Sequence, residues 1–314
     1  MTTGPLRIRT PAKVNLGLAL VGTRSDGYHL LESVFAPIAL WDEVELEVRS
    51  GAGDIGLVCG PPLDPELPEA VREVPTGPEN LVWRAARLFC ERSGFAAAIR
   101  IGLRKGIPAG AGLGGGSSDA AAVLRGLAEL SGLSIDPGEL AKWALALGAD
   151  VPFFLSPGAA LVTGIGERIE RLTAVPELAL VLVNPGKTLA TADVYRMADR
   201  LAGALTKNRS GSTMRALSGL AQTHRDLAPA LQDLLINDLE PAARQLCPPI
   251  ARIADRLDRV GAIGVSMTGS GATVLGVFRS EAKAGEAEKR LRAEDEASGE
   301  QPCWIRATRT LTAG

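Results

Sequence analysis

A glycine-rich stretch is the clearest chemical feature of the sequence. Residues 107–122 read IPAGAGLGGGSSDAAA, and five of the seven residues from Gly110 to Gly116 are glycine. Glycine permits positive φ and lets the backbone approach a ligand closely. Ser117 and Ser118 stand where a helix is predicted to begin, and free N–H groups at a helix start bind phosphate. The stretch therefore predicts a phosphate-binding loop, with a flexible linker as the less favoured alternative. The two hydroxyls could cap the helix, bind a phosphate oxygen or reach Mg²⁺.

Two other nucleotide motifs are rejected. Three loop glycines satisfy GxGxxG, but that dinucleotide fingerprint needs a βαβ unit and an acidic residue about 20 positions on. A second helix follows here instead of a strand, and the candidate acids, Glu129 and Glu139, fall in helical sequence. Residues 185–188 (PGKT) end like a Walker A loop, yet Val181 stands where its first glycine is required.

Phosphoryl transfer also needs a group that orients or deprotonates the attacking hydroxyl. Asp150 lies between two apolar segments in LGADVPFFL, and strand alternation puts Lys13 and Asn15 on one face of PAKVNLGLAL. If Lys13 meets Asp150, the lysine would keep the carboxylate ionised and polarise the substrate hydroxyl. The alternatives are a turn aspartate and a surface-facing Lys–Asn pair.

A second candidate for ligand contact is the segment 26–29 (DGYH), which predicts a turn between strands. Tyr28 could stack on a ring and His29 could hydrogen-bond to it. The alternative is a plain turn with an aromatic flank.

The elements that must position these residues mix strands and helices without a regular β-α-β alternation, which favours the α+β class. Prolines in 61–79 indicate a surface loop, and 206–213 (TKNRSGST) a polar loop. Strands are predicted at 8–20, 42–48, 97–103, 178–183 and 304–311, with a hairpin at 158–172 and two strands within 262–278. Helices are predicted at 80–92, 117–130, 137–147, 192–204, 237–246, 250–260 and 280–297.

Composition narrows the function further. The chain has 314 residues, 46% of them hydrophobic, and a formal net charge of -2. This charge shows none of the basic excess typical of nucleic-acid binding, so we expect a small-molecule substrate. The four cysteines have no zinc-site spacing. No signal peptide or membrane-spanning stretch is visible, which predicts a cytoplasmic protein without a membrane partner.

Taken together, these segments resemble the GHMP kinases. Residues 108–121 resemble the second motif of that superfamily, and residues 267–278 (MTGSGATVLGVF) its third motif. Residues 11–35, 80–85 (NLVWRA) and 147–154 (LGADVPFF) resemble the member family that acts on 4-diphosphocytidyl-2-C-methyl-D-erythritol.

The resemblance implies a GHMP kinase fold with two domains. Residues 1–157 would form an ATP-binding domain like a ribosomal protein, and residues 158–314 a ferredoxin-like domain. It also implies transfer of the γ-phosphate of ATP, with Mg²⁺, to the 2-hydroxyl of 4-diphosphocytidyl-2-C-methyl-D-erythritol, a step on the methylerythritol phosphate route to isoprenoids.

The same resemblance implies residue roles. Asp150 matches the catalytic base, Lys13 its partner and Asn15 a substrate-holding position. Tyr28 and His29 match the cytosine-binding positions, Tyr195 the second aromatic wall and Thr191 a substrate contact. The phosphate loop would comprise Pro108, Ala109, Gly110, Ala111, Gly112, Leu113, Gly114, Gly115, Gly116, Ser117 and Ser118. Asn80, Leu81 and Lys105 fall near the adenine pocket, and Gly269, Ser270 and Gly271 form the third motif.

Three alternative functions are less consistent with the sequence. Another GHMP kinase, acting on homoserine or mevalonate, would not need a cytosine pocket such as residues 26–29 and Tyr195 suggest. A dinucleotide-dependent oxidoreductase would need the acidic ribose-binding residue and parallel βαβ order. An RNA-binding protein could share the N-terminal fold, but it should be basic.

Overall fold

The computed structural model describes residues 4–49, 51, 53–172, 175–201, 231, 234–299 and 301–312. Its strands are β1 (Leu6–Thr23), β2 (His29–Arg49), β3 (Ile55–Cys59), β4 (Ala98–Arg104), β5 (Ala160–Gly164), β6 (Arg168–Arg171), β7 (Ala179–Asn184), β8 (Gly264–Met267), β9 (Val274–Phe278) and β10 (Trp304–Arg309). Its helices are α1 (Glu69–Arg72), α2 (Leu81–Ser93), α3 (Gly115–Ser131), α4 (Pro137–Leu147), α5 (Thr191–Leu201), α6 (Glu240–Leu246), α7 (Pro249–Arg259) and α8 (Glu281–Ser298), with a 3₁₀ helix at Val151–Leu155.

The chain divides into two compact units. Unit 1 comprises Met1–Ala12, Leu40–Ala109 and Gly114–Pro157, and unit 2 comprises Lys13–Ala39, Gly110–Leu113 and Gly158–Gly314. Strands β1 and β2 therefore each contribute residues to both units. The predicted domain division after residue 157 stays a prediction.

Unit 1 contains the sheet segment β3-β4-β2, in which β3 runs parallel to β4 and β4 antiparallel to β2. Alternate side chains of β4, those of Ile99, Ile101 and Leu103, are buried, as the alternating sequence predicted. Helices α2, α3 and α4 pack against one another, and the 3₁₀ helix packs against α3 and α4. The first turn of α3, which carries Ser117 and Ser118, is thereby held on a rigid layer.

Unit 2 contains the antiparallel sheet β10-β7-β9-β8, the pairing of β2 with β5 and the pairing of β5 with β6. All six residues of β7 are buried. Side chains of α5, α6, α7 and α8 share one apolar core with this sheet, including Val194, Ala243, Leu257 and Leu291. The turn between β8 and β9 holds the third motif.

Most predicted elements are confirmed, and so is the α+β class. Asn80 caps α2 by accepting a hydrogen bond from Val82 N at 2.9 Å, as its position predicted. Helix α3 starts at Gly115, two residues before the predicted Ser117, and α6 starts at Glu240 instead of residue 237.

The remaining differences are small. The predicted surface loop 61–79 contains α1, and two of its apolar side chains, those of Leu67 and Val71, are buried. Segment 206–213 lies outside the described residues. Among the helices that the structure describes, none has the length and apolarity to cross a membrane. The cytoplasmic location stays a prediction.

Candidate active site

The predicted phosphate loop has a regular alternation of backbone conformation. Gly110, Gly112 and Gly114 have φ of 62°, 79° and 70°, in the left-handed region that favours glycine. Between them, the side chains of Ala111 and Leu113 are buried. Left-handed residues at every second position are typical of backbone nests, in which N–H groups converge on an anion.

The loop continues directly into α3. Gly114 occupies the N-cap position, and no side chain caps the helix. The N–H groups of the first helical turn have no intrahelical acceptor, so they are available to a ligand. The Oγ of Ser118, in this turn, is buried and has no hydrogen-bond partner among the described residues. An uncapped helix start with a buried unsatisfied hydroxyl fits a phosphate group.

The third motif touches the phosphate loop through backbone atoms. In unit 2, a Cβ on Gly269 would lie 2.8 Å from Gly112 O, and a Cβ on Gly112 would overlap Thr268 O. The buried Thr268 Oγ1 donates to Gly112 O at 3.4 Å, and Lys13 N donates to Leu113 O at 2.9 Å. Glycine is therefore required on both sides of this contact.

Lys13 and Asn15 are buried on β1, at 3% and 2% exposure. The Lys13 Nζ donates to Asn15 Oδ1 at 2.7 Å and lies 4.5 Å from the centre of the Phe35 ring. The same Oδ1 accepts from Gly269 N at 2.8 Å, and Asn15 Nδ2 donates to Ser33 Oγ at 2.8 Å. The prediction that Asn15 holds substrate stays untested, whereas its observed contacts orient Lys13.

Asp150 is half-buried and directly precedes the 3₁₀ helix in unit 1. Its neighbours Leu147 and Val151 are buried, as the apolar flanks predicted. Lys13 belongs to unit 2, and the pairing of Lys13 with Asp150 stays a prediction.

The aromatic residues have a specific arrangement in unit 2. The His29 ring stacks on Tyr195, with centroids 5.2 Å apart and an interplanar angle of 26°. His29 Nε2 lies 2.9 Å from Asp199 Oδ1, an interaction that the sequence did not indicate. Tyr28 is 61% exposed and makes no ring contact with the described residues. The turn predicted at 26–29 is confirmed in shifted form: it runs from Arg24 to Tyr28, with Gly27 at a φ of 87°, and His29 already begins β2.

Two further contacts join predicted site residues in unit 2. Thr191 Oγ1 lies 3.0 Å from Ser270 Oγ, which places the predicted substrate contact beside the third motif. Segment 185–188, rejected as a Walker A loop, packs against the phosphate loop, because a Cβ on Gly110 would lie 3.0 Å from the Thr188 side chain.

Lys105 has partners that the sequence did not reveal. Its ammonium is buried in unit 1 between the carboxylates of Asp42 and Asp119, with 2.9 Å to Asp119. Asp42 Oδ1 also accepts from Gly106 N at 2.6 Å and Ile107 N at 2.9 Å. The network therefore holds the residues that lead into the phosphate loop, and the proposed contact of Lys105 with ATP stays a prediction.

Burial and charge pairing act in opposite directions on the ionisation of this network. It raises the pKa of Asp42 to about 7, with a further contribution from the Asp119 carboxylate and an opposing one from Lys105. Burial alone would lower the pKa of Lys105, but the two carboxylates raise it above its usual value. The lysine thus stays charged, and it stabilises two acidic groups that would otherwise repel each other.

The remaining predicted nucleotide residues lie on α2 in unit 1. Asn80 is committed to its cap and donates to Pro75 O at 2.7 Å. The Leu81 side chain lies 3.8 Å from where a Cβ on Gly116 would stand. Leu81 therefore flanks the end of the phosphate loop.

The chain matches both halves of a known kinase family. The GHMP kinases N terminal domain model matches residues 80–158, and the GHMP kinases C terminal model matches residues 214–297. A 4-diphosphocytidyl-2-C-methyl-D-erythritol kinase of Geobacter metallireducens is 41% identical over 280 residues, which cover 89% of this chain and 91% of that protein. The chain belongs to this family of GHMP kinases.

Other members of the kinase family support the assignment along nearly the whole chain. The corresponding kinase of Rhizobium leguminosarum bv. trifolii is 40% identical over 307 residues, covering 96% of this chain and 94% of its own. A crystal structure of 4-(cytidine 5'-diphospho)-2C-methyl-D-erythritol kinase has a TM-score of 0.75 at 34% identity and covers 98% of this chain and 100% of its own. The GHMP fold is thereby confirmed, and ATP is the phosphate donor of these kinases.

The contact between loop and third motif leads to a first prediction. Ala at a left-handed position costs about 1–2 kcal/mol, so Gly261→Ala, at a φ of 96° with no atom within 4 Å of its Cβ, should lose about that much stability. Gly112→Ala should lose more, because its methyl group would also overlap Thr268 O. Because Gly112→Ala would displace the phosphate loop, it should also lower turnover by about 10²-fold. Gly261→Ala should keep normal turnover. Thermal unfolding and steady-state kinetics measure both, and equal effects of the two variants would contradict the close contact.

Proposed function

We propose that this chain transfers the γ-phosphoryl group of ATP to the 2-hydroxyl of 4-diphosphocytidyl-2-C-methyl-D-erythritol, giving the 2-phosphate and ADP. The phosphate loop carries the proposal, because its left-handed glycines lead into an uncapped helix start with a buried unsatisfied Ser118 hydroxyl. Membership of the kinase family supports the acceptor.

The nucleotide would be held mainly by backbone groups. Residues 110–117 would present N–H groups to the phosphates, and the Ser118 hydroxyl would donate a hydrogen bond to one phosphate oxygen. Leu81, which lies beside Gly116, would contact the adenine, and Asn80 fixes the start of the helix that carries Leu81. Lys105 would position the loop near the adenine pocket through its pairing with Asp42 and Asp119.

Mg²⁺ would be bound together with ATP. Magnesium sites of this kind usually combine substrate phosphates and water with one or two protein ligands. The hydroxyl of Ser118 fits this role because it is an unsatisfied oxygen next to the phosphate loop. Among the residues that the structure describes, no group of three His, Cys, Asp or Glu side chains could hold a metal ion.

The chemistry would rest on positioning and on one proton transfer. Asp150 would accept the proton of the 2-hydroxyl, and Lys13 would orient that hydroxyl and favour its negative charge. Lys13 is suited to this role because Asn15 fixes its ammonium group at 2.7 Å. Burial at 3% exposure protects the ammonium from competing water.

The acceptor would be recognised through its cytosine ring. Tyr28 is exposed and offers a face for stacking, while His29 is fixed by Tyr195 and Asp199 and offers a hydrogen bond to the ring. Thr191, beside Ser270, would contact the remainder of the acceptor. Homoserine and mevalonate contain no aromatic ring, so this arrangement favours the cytidyl acceptor over either of them.

The near-neutral net charge of the chain gives no support for nucleic-acid binding.

A direct test compares acceptors. Purified protein with ATP and Mg²⁺ should release ADP with 4-diphosphocytidyl-2-C-methyl-D-erythritol and not with homoserine or mevalonate. Turnover with another acceptor would retain the kinase reaction and reject the cytosine pocket. The absence of ADP release with all three would reject the proposed function.

The second prediction tests the base. Asp150→Asn should lower turnover by about 10²-fold or more, the scale of losing a general base. ATP binding and thermal stability should stay close to wild type, because the amide has the same shape. Asp54→Asn, at an exposed carboxylate that pairs with Arg100, serves as the control and should keep full turnover. Near wild-type turnover in the Asp150 variant would remove this residue from the role of base.

The third prediction tests the base-stacking residue. Base–aromatic stacking contributes about 1–3 kcal/mol, so Tyr28→Ala should raise the KM for the cytidyl acceptor about 10- to 100-fold and leave the KM for ATP unchanged. Tyr28→Phe keeps the ring and should behave like wild type. Equal effects of Tyr28→Ala on both KM values would contradict the assignment of Tyr28 to cytosine.

A further inference from the structure

The four residues Asn237, Asp238, Leu239 and Glu240, called here the NDLE clasp, form a polar bridge within unit 2. Asn237 is 6% exposed. Its Nδ2 donates to Met267 O at 2.8 Å and to Gly269 O at 2.9 Å, and its Oδ1 accepts from Leu239 N at 3.0 Å. This pattern fixes the orientation of the amide, because only the nitrogen can donate to two carbonyl groups.

The other clasp residues attach it to two strands. Glu240 Oε2 accepts from Met267 N at 3.1 Å, at the end of β8. Asp238 Oδ2 accepts from Leu20 N at 2.9 Å, on β1. Backbone bonds reinforce the second attachment, because Asp238 N donates to Leu18 O at 2.9 Å. The clasp thus joins the strand that carries Lys13 to the strand that leads into the third motif.

Gly269 is the point at which the clasp meets the candidate catalytic residues. Its carbonyl group is held by Asn237, and its N–H group donates to Asn15 Oδ1 at 2.8 Å. The same Asn15 oxygen accepts from Lys13 Nζ at 2.7 Å. A shift of Gly269 would therefore displace the acceptor that orients the Lys13 ammonium group.

Gly269 also sets the position of the phosphate loop. Its Cα packs so closely against Gly112 that an added Cβ would lie 2.8 Å from Gly112 O. One residue thus has Asn237 on one side, Asn15 on a second and the phosphate loop on a third. The backbone position of Gly269 is therefore constrained by three separate contacts.

We propose that Asn237 is a positioning residue for phosphoryl transfer. It holds Gly269 so that Asn15 can orient Lys13 towards the acceptor hydroxyl. Neither the amide nor the clasp needs to touch substrate, so the loss of Asn237 should affect the chemical step more than acceptor binding. The inference rests on the proposed kinase function and assigns a role that none of the predicted site residues fills.

Two variants remove the two donated hydrogen bonds in different ways. Asn237→Ala leaves both carbonyl groups without their donor, and Asn237→Asp replaces the donor with a carboxylate that repels them. Each variant should lower kcat about 10- to 100-fold, while the KM for the acceptor changes less than about threefold. Both constants are measured well below the unfolding midpoint of every variant.

The control separates positioning from loss of stability. Leu257→Ala truncates a fully buried side chain in the apolar core of the same unit, so it should lower the unfolding temperature. It removes none of the hydrogen bonds of the clasp and should keep kcat within about twofold of wild type. Arg244→Ala, which removes only the surface partner of Glu240, should also keep normal kcat.

The kcat of the Asn237 variants, compared with that of Leu257→Ala, tests the positioning role. A wild-type kcat in Asn237→Ala, or a loss no larger than that of Leu257→Ala, would overturn it. If either Asn237 variant unfolds below the assay temperature, Asn237→Ser, which keeps one hydroxyl donor, replaces it with the same expected split between kcat and KM.

The assay uses whichever acceptor the wild-type protein phosphorylates. If the wild-type protein phosphorylates homoserine or mevalonate instead, that result rejects the cytidyl acceptor and leaves the positioning role of Asn237 intact. A wild-type protein without kinase activity on any of the three acceptors would overturn both proposals.

Discussion

The contact of the Gly112 backbone with the backbone of Thr268 and Gly269 constrains everything around it in unit 2. Each chain segment occupies the space that a Cβ on the other would need. The phosphate loop and the third motif must therefore be made of glycine at this point, although they are separated by more than 150 residues in sequence. Lys13 N and Asn15 Oδ1 bind the two segments from the side of β1.

In unit 1 the corresponding constraint is a buried group of charges. Two carboxylates share the Lys105 ammonium, and backbone N–H groups and the Thr10 hydroxyl supply further donors. Such an arrangement contributes little net stability, but removing one partner costs several kcal/mol. Its value here is geometric, because Asp42 fixes the entry to the phosphate loop and Asp119 lies on the first turns of α3.

Local signals predicted most of the fold. Asn80 as a helix cap, the alternation of β4 and the glycine loop each have a short-range physical cause that is readable from neighbouring residues. The start of α3 was predicted two residues late because Gly115 and Gly116 favour loops when considered alone. Tertiary packing of α3 against α2 overrides that preference.

The functional residues that the sequence did not predict have one property in common. Asp42, Asp199, Asn237 and Thr268 act through partners distant in sequence, and a single sequence contains no record of those contacts. A weak signal did exist for Asn237, since polar residues just before an apolar helix often cap or bridge. For Lys105 the sequence showed only a lysine near the loop, and the two carboxylates that bind it lie 63 and 14 positions away.

The sharing of β1 and β2 between the two units affects how the protein must be made. Residues Lys13–Ala39 belong to unit 2, whose remaining bulk begins at Gly158. Strand β2 ends at Arg49 and β5 ends at Gly164, and at ribosomal rates of 5–20 residues per second the residues between these points take roughly 6 to 23 s to synthesise. During that time the edge of β2 that later pairs with β5 has no partner strand. Strand β2 is therefore synthesised early and packed late, and the nascent chain depends on prompt synthesis of β5 to cover an edge that could otherwise pair with other chains.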